Sequence, residues 1–440
     1  MKKQLLHLIL SCFTISTLAQ QLDNNYNKLF NRDYSSSELH VTTSKDGNLT
    51  LMQDTVLYFV DVANGDSLGK SVGLEKFITY PKGLVRSNDY YYLTGSLSKA
   101  GMTGQSSVLV KLNMQLDTLW RRELSNYAYG NEGSSILVNN SGIYVAGKAA
   151  NNNLFIAHLS EAGDTSWVKN FNQTTFCNLT DIIETSDGNY LAVGHLDDYP
   201  LAYKFNTNGD TLWSYYEPTF ISFTKAVAFE RNQTEYVMVA RNRFIVLDAA
   251  TGNKKSETQG FIDYFDLEVR ADTVYLFGTH KTKNYGGNQY PLVEVRNRNL
   301  DSLKSFQFND NVHPLVNNRY SSGILLSGND FACAGLVRDS VNLSGNQWNF
   351  LVSKFNANTV TTFAKTDSNS ALKMFPNPTS GQLNFSQKID AVRIFDLHGA
   401  LIMQSILDSE YLNLSGLSQG TYMIETFQGG SVAQFKFILQ

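Results

Sequence analysis

The chain is poor in the residues that usually do chemistry. It has three cysteines among 440 residues, and Cys12 falls in the apolar leader, which leaves Cys177 and Cys333. Two thiols do not make a disulfide framework, and buried, unbridged side chains are expected of them. The histidines, His7, His40, His158, His195, His280, His313 and His398, are scattered, and no pair has the spacing of zinc ligands. No Gly-x-Ser-x-Gly elbow occurs, so no nucleophilic site is indicated. Charged residues make up only 17% of the chain and the formal net charge is -4, without the basic stripe that a phosphate backbone requires, which argues against nucleic acid as a partner. Beyond the leader no run approaches the roughly 18 apolar residues of a membrane-spanning helix.

What the sequence does have is aromatics, with 23 Tyr and 27 Phe, a balance that favours strands. The opening "MKKQLLHLILSCFTISTLAQ" combines Lys2 and Lys3, an apolar stretch and a small-residue exit, the pattern of a secretory signal peptide cleaved after Ala19. The alternative is lipidation at Cys12, which would leave an unusually short apolar segment before it.

One turn recurs along the chain. "NMQLDTLW", "SEAGDTSW" and "NTNGDTLW" end at Trp120, Trp167 and Trp213, and related turns hold Asp66, Asn253 and Asp301. The period is roughly 50 residues, the range of propellers and stacked arrays. Each unit reads as four short strands, as in "SSILVN", "GIYVAG", "NLFIAHL" and "DTSWVKNF". In the third of these Leu154, Ile156 and His158 should face one way and Phe155, Ala157 and Leu159 the other. A seventh unit, "NDFACAGL" followed by "FLVSKFNANTV", keeps two strands and loses the acidic turn. The expected fold is therefore all-β: a seven-bladed β-propeller of four-stranded antiparallel blades over 20–363, with the tryptophans packed between blades and each turn Asp accepting backbone hydrogen bonds across its corner.

After a polar linker at 364–371 the pattern changes. "FPNPTSGQLNF", "IFDLHGALI", "LNLSGLSQGTYMIE" and "FKFIL" alternate strand and turn to the end of the chain, which reads as a small C-terminal β-sandwich over 372–440. In this order the four segments resemble the successive motifs of a type A C-terminal sorting domain of the type IX secretion system, the Por secretion system. The resemblance places Pro376, Asn377, Pro378 and Gly381 in the opening motif, Asp396 and Gly399 in the middle one, and Leu417, Gly420, Tyr422 and Lys436 in the last. It implies export through a signal peptide, engagement of the type IX machinery, and release or attachment at the surface of a Gram-negative bacterium. Separately, "VLDAATGNKK" resembles a repeat of quinoprotein-type propellers, and the Asp-Ser/Thr-aliphatic triplets at Asp54, Asp66, Asp117, Asp210, Asp272, Asp301 and Asp339 resemble acceptors of periplasmic O-glycosylation.

Catalytic residues, a metal and a cofactor are not expected. "SKDGN" at Ser44 to Asn48 and "TSDGN" at Thr185 to Asn189 read as hairpin turns rather than calcium loops. Asp197, Asp198, Asp263 and Asp266 are the carboxylates that a propeller could gather near its axis. The candidate ligand face consists of Tyr285, Tyr290 and Trp348 on long connections between second and third strands, where they could stack on a glycan or anchor a protein partner. The expectation is an exported surface or secreted binding and adhesion module. The alternatives are a polymer-degrading hydrolase or quinoprotein-like enzyme, and a structural surface-layer component.

Overall fold

The computed structural model describes residues 26–31, 39–356 and 372–440, apart from the internal stretches 75–77, 126–127, 129, 152, 174, 198, 219–225, 261, 282–288, 309–317, 339–347, 397–400 and 429–430. Every regular element among them is a β-strand. They form seven four-stranded sheets and one five-stranded sheet, a seven-bladed β-propeller followed by a C-terminal β unit. Blades one to six are chain segments 39–73, 80–123, 132–171, 177–216, 226–259 and 262–307, each a meander of antiparallel strands.

Blade seven explains the missing turn of the seventh unit. Its three inner strands come from 319–356, and its outermost strand is Tyr26–Asn31, paired antiparallel to Trp348–Asn356. The N-terminal strand thus clasps the last blade, and the innermost strand of blade seven also packs on that of blade one. The clasp completes the fourth strand of blade seven, and the circle closes by packing of blade seven on blade one.

Alternation along the strands fills the spaces between blades. Leu154 and Ile156 pack toward blade four and Phe155, Ala157 and Leu159 toward blade two, as the period of two requires. Cys177 and Cys333 are buried and form no disulfide.

The tryptophans stitch blades two, three and four each to the following blade. The Trp167 indole donates to the Thr207 carbonyl at 3.0 Å and Trp213 to that of Ala249 at 3.1 Å. Trp120 lies on the turn glycine Gly163. Glycine is needed at these turns: Gly252 has φ +72°, and a Cβ there would meet the Trp213 ring at 2.5 Å. At the closure Tyr26 takes the tryptophan's place, lying on Gly65 of blade one.

The turn chemistry differs from expectation in one respect. The acceptor across the corner is the residue four before the Asp: Asn206 Oδ1 accepts from the backbone N–H of Asn208 and of Asp210, each at 2.9 Å. The Asp210 carboxylate takes the Asn206 side-chain amide and, at 3.2 Å, Lys169 from the preceding blade. An Asx residue at the start of the turn reaches the orphan N–H groups more directly than one at its end.

In the C-terminal unit, strands Gln382–Phe395 and Leu401–Asn413 are long and interrupted by bulges, which bends one sheet around a core of Leu383, Ile389, Val392, Ile394, Ile424 and Phe437.

Candidate functional site

Side chains near the propeller axis come from the innermost strands, and a bulge in several of these strands turns one side chain toward the next blade. After the bulge at Leu179/Asp181 the Asp181 Oδ2 accepts the Ala228 N–H of blade five at 3.0 Å. After the bulge at Tyr264/Asp266 the Asp266 Oδ2 accepts the Gly323 N–H of blade seven at 3.0 Å. Ser322 Oγ does the same for Val41 of blade one at 3.3 Å. Two of the three groups are carboxylates, but each is engaged in joining blades.

Glu268, on the same strand as Asp266, differs. It is partly buried, and burial first, then the nearby Asp266 and Asp181 carboxylates, push its pKa up to about 8, with Arg270 opposing. Arg270 is itself turned to the carbonyls of Leu326 and Gly328. Burial and like charge thus favour the protonated form of Glu268, beside carboxylates that accept hydrogen bonds. No sequence motif marked it. The available signal was a glutamate two residues after an aspartate on an innermost strand.

The sequence-derived candidates separate. Tyr290 is 4% exposed, so its ring is buried rather than offered to solvent. The alternation that turns Glu294 and Leu292 into the sheet-to-sheet space turns Tyr290 there as well. Tyr285 lies outside the described residues, and Trp348 begins the third strand of blade seven, its side chain also outside them. Asp263 is buried and paired with Arg241 at 3.1 Å. Asp197 sits in a turn with φ +48°, and Asp198 lies outside the described residues. The two Asp-Gly loops are hairpin turns, closed by Ser44 N to Asn48 O at 2.7 Å and Thr185 N to Asn189 O at 2.9 Å. The second also holds Lys204 against Asp187 at 2.6 Å, which keeps the Asp187 carboxyl below its ordinary range despite the opposing effect of burial. Of the triplet hydroxyls, Ser67, Thr118 and Thr211 are exposed, whereas Ser302 is buried.

The C-terminal candidates assemble around the last strand, Ser431–Leu439. Asn377 donates to the Lys436 carbonyl at 2.7 Å and accepts the Ile438 N–H at 3.0 Å. Pro376 and Pro378 flank it on an exposed bend, and Gly381 has φ +145°. Tyr422 stacks on Phe437 at 5.4 Å and donates to Ser418 O at 2.7 Å. Leu417 packs on the unit's core, and Gly420 pairs with Leu439. Asp396 is partly buried, and Gly399 lies outside the described residues.

Residues 373–440 match the family model of a secretion system C-terminal sorting domain. The chain therefore carries a type IX sorting domain, which indicates export to the medium or cell surface and implies contact with the secretion machinery. No curated protein matches the chain. Among solved structures, a chain of a mitotic checkpoint complex aligns with TM-score 0.50 at 8% identity, over 80% of this chain and 99% of that one. The Pan2 WD40 domain of Neurospora crassa aligns with TM-score 0.41 at 13% identity, over 64% and 90%. The dihydro-heme d1 dehydrogenase NirN aligns with TM-score 0.45 at 14% identity, over 72% and 68%. At such identities the first likeness is one of fold alone.

Proposed function

We propose that the protein is an exported binding module: a signal peptide at 1–19, a propeller over 20–363 that engages an extracellular glycan or protein, a linker at 364–371 and the sorting domain from 372. The reading rests on where the ring spends its loop length. Second-to-third-strand connections are tight in most blades, spanning 54–55, 197–198 and 241–242 in blades one, four and five, but run over 99–104, 282–288 and 339–347 in blades two, six and seven. By topology all of them share one rim, and the long ones flank the short-looped blade one, a sector suited to recognition. Tyr285 and Trp348 belong to that sector and are the aromatic anchors of the proposal. Tyr290 is not among them.

The test is thermal unfolding of the protein against a panel of polysaccharides and surface proteins, with Tyr285→Ala and Trp348→Ala alongside. A ligand at about 100 times its Kd stabilises by roughly 2.7 kcal/mol. A shift that the two variants abolish supports the rim sector, and a ligand whose shift they leave intact removes it. A hydrolase is the second reading, and Glu268 is the observation in its favour, since a carboxyl whose pKa is raised by burial and by neighbouring carboxylates is the pattern of a general acid in glycoside cleavage. Polymer hydrolysis that Glu268→Gln eliminates would establish it.

A further inference from the structure

The outer face of the sorting domain is not free. Strand Gln382–Phe395 alternates, with Val392 and Ile394 in the domain core and Arg393 on the opposite face. Strand Gly420–Gln428 likewise puts Ile424 inside and Phe427 outside. Side chains on that outer face should meet water, yet Arg393 is 4% exposed and Phe427 3%. Blade six covers them.

The receiving surface is the side of blade six that faces blade five. There Glu294, with no exposed area, is held by Arg296 at 3.0 and 3.1 Å, by Ser302 Oγ at 2.7 Å and by the Tyr264 hydroxyl. Arg393 reaches the same carboxylate at 3.5 Å, Ser302 Oγ at 3.5 Å and its own domain's Glu425 at 3.8 Å. Its guanidinium lies 4.9 Å from the Phe427 ring, and that ring lies 5.0 Å from the His280 ring. His280 Nδ1 is buried and makes no hydrogen bond among the described residues. Two arginines and two glutamates balance in charge, which is the condition for keeping such groups out of water.

We propose that this side of blade six is a receptor for an arginine side chain with an adjacent aromatic ring, and that the sorting domain fills it in cis with Arg393 and Phe427. The domain is then latched to the propeller instead of trailing from it, and a partner needing the outer face of its strands Gln382–Phe395 and Gly420–Gln428 must first open the latch. The planar guanidinium suits the site because one fork can address Glu294, Ser302 and Glu425 while its face lies on Phe427. This inference is independent of the rim sector proposed above.

Hydrogen exchange on the full chain tests it. In the native protein, peptides spanning 302–307 and 420–428 should both be protected. Arg393→Ala should speed exchange in both by tenfold or more while leaving the core strand 431–439 protected, and millimolar methylguanidinium should restore the protection. Phe427→Ala, which lies outside the domain core, should release the same two peptides without guanidinium rescue, and it carries the test should Arg393→Ala unfold the domain. Unchanged exchange at 302–307 in both variants would overturn the latch. Protection that vanishes on dilution would overturn its cis character, since it would then join two copies.

Discussion

Asn377 and Glu268 illustrate opposite uses of a polar side chain. Asn377 spends both ends of its amide on the backbone of the last strand, so Asn377→Ala should lower sorting-domain stability by roughly 1–2 kcal/mol, read as faster hydrogen exchange in 431–439. Its neighbours in the motif are exposed, so the loss would be of geometry and not of core. Glu268 opposes folding once ionised. With a pKa of about 8 in the fold against an ordinary 4.5, the folded state binds more protons than the unfolded between those values, and stability falls as pH rises through that window. Glu268→Gln should therefore be neutral near pH 4 and stabilising by about 2 kcal/mol or more near pH 9, checked by denaturant melts at both. An equal effect at both pH values would refute the protonated state.

At the scale of elements, the outermost strands decide how blades cohere. Trp213 lies against Gly252, and Trp213→Ala should cost about 2–3 kcal/mol. Gly252→Ala should also destabilise, through both its positive φ and the ring it would strike. The double variant should lose less than the sum, because the clash disappears with the indole, and strict additivity in melts would contradict the docking. These joints were legible because tryptophan, glycine and aspartate recur together at one spacing. The closing strand Tyr26–Asn31 was not, since "YNKLFN" is short, half polar and far in sequence from the blade it completes. The latch was equally hidden: Glu294, Arg296 and Arg393 each interrupt an apolar strand, a signal that something polar is paired there, but a single strand does not name its partner. The burial of Tyr290 is hidden for a related reason, because a tyrosine next to a long loop reads as exposed until its strand parity is known.

For the whole molecule, the N-terminal strand closes the ring and the C-terminal domain covers one side of blade six, so removing residues 372–440 should separate export from folding. The truncated chain should fail to appear outside the cell, by fractionation, while its propeller still melts cooperatively, because ring closure does not use the removed residues. Its pH dependence should change in a defined way. In the full chain, burial first and then Arg393 hold His280 down at about 4 from an ordinary 6.5, against the opposing Glu294. The unfolded state then binds more protons between those values, so stability is fully present above about pH 6.5 and is lost as pH falls. Without the sorting domain His280 loses the Phe427 ring and the Arg393 charge, its pKa returns toward 6.5, and the slope of stability against pH over 4 to 6.5 should flatten by up to one proton. Equal slopes for the full and truncated chains would mean that His280 is buried by the propeller alone, and the sorting domain would then contribute no more than a surface contact.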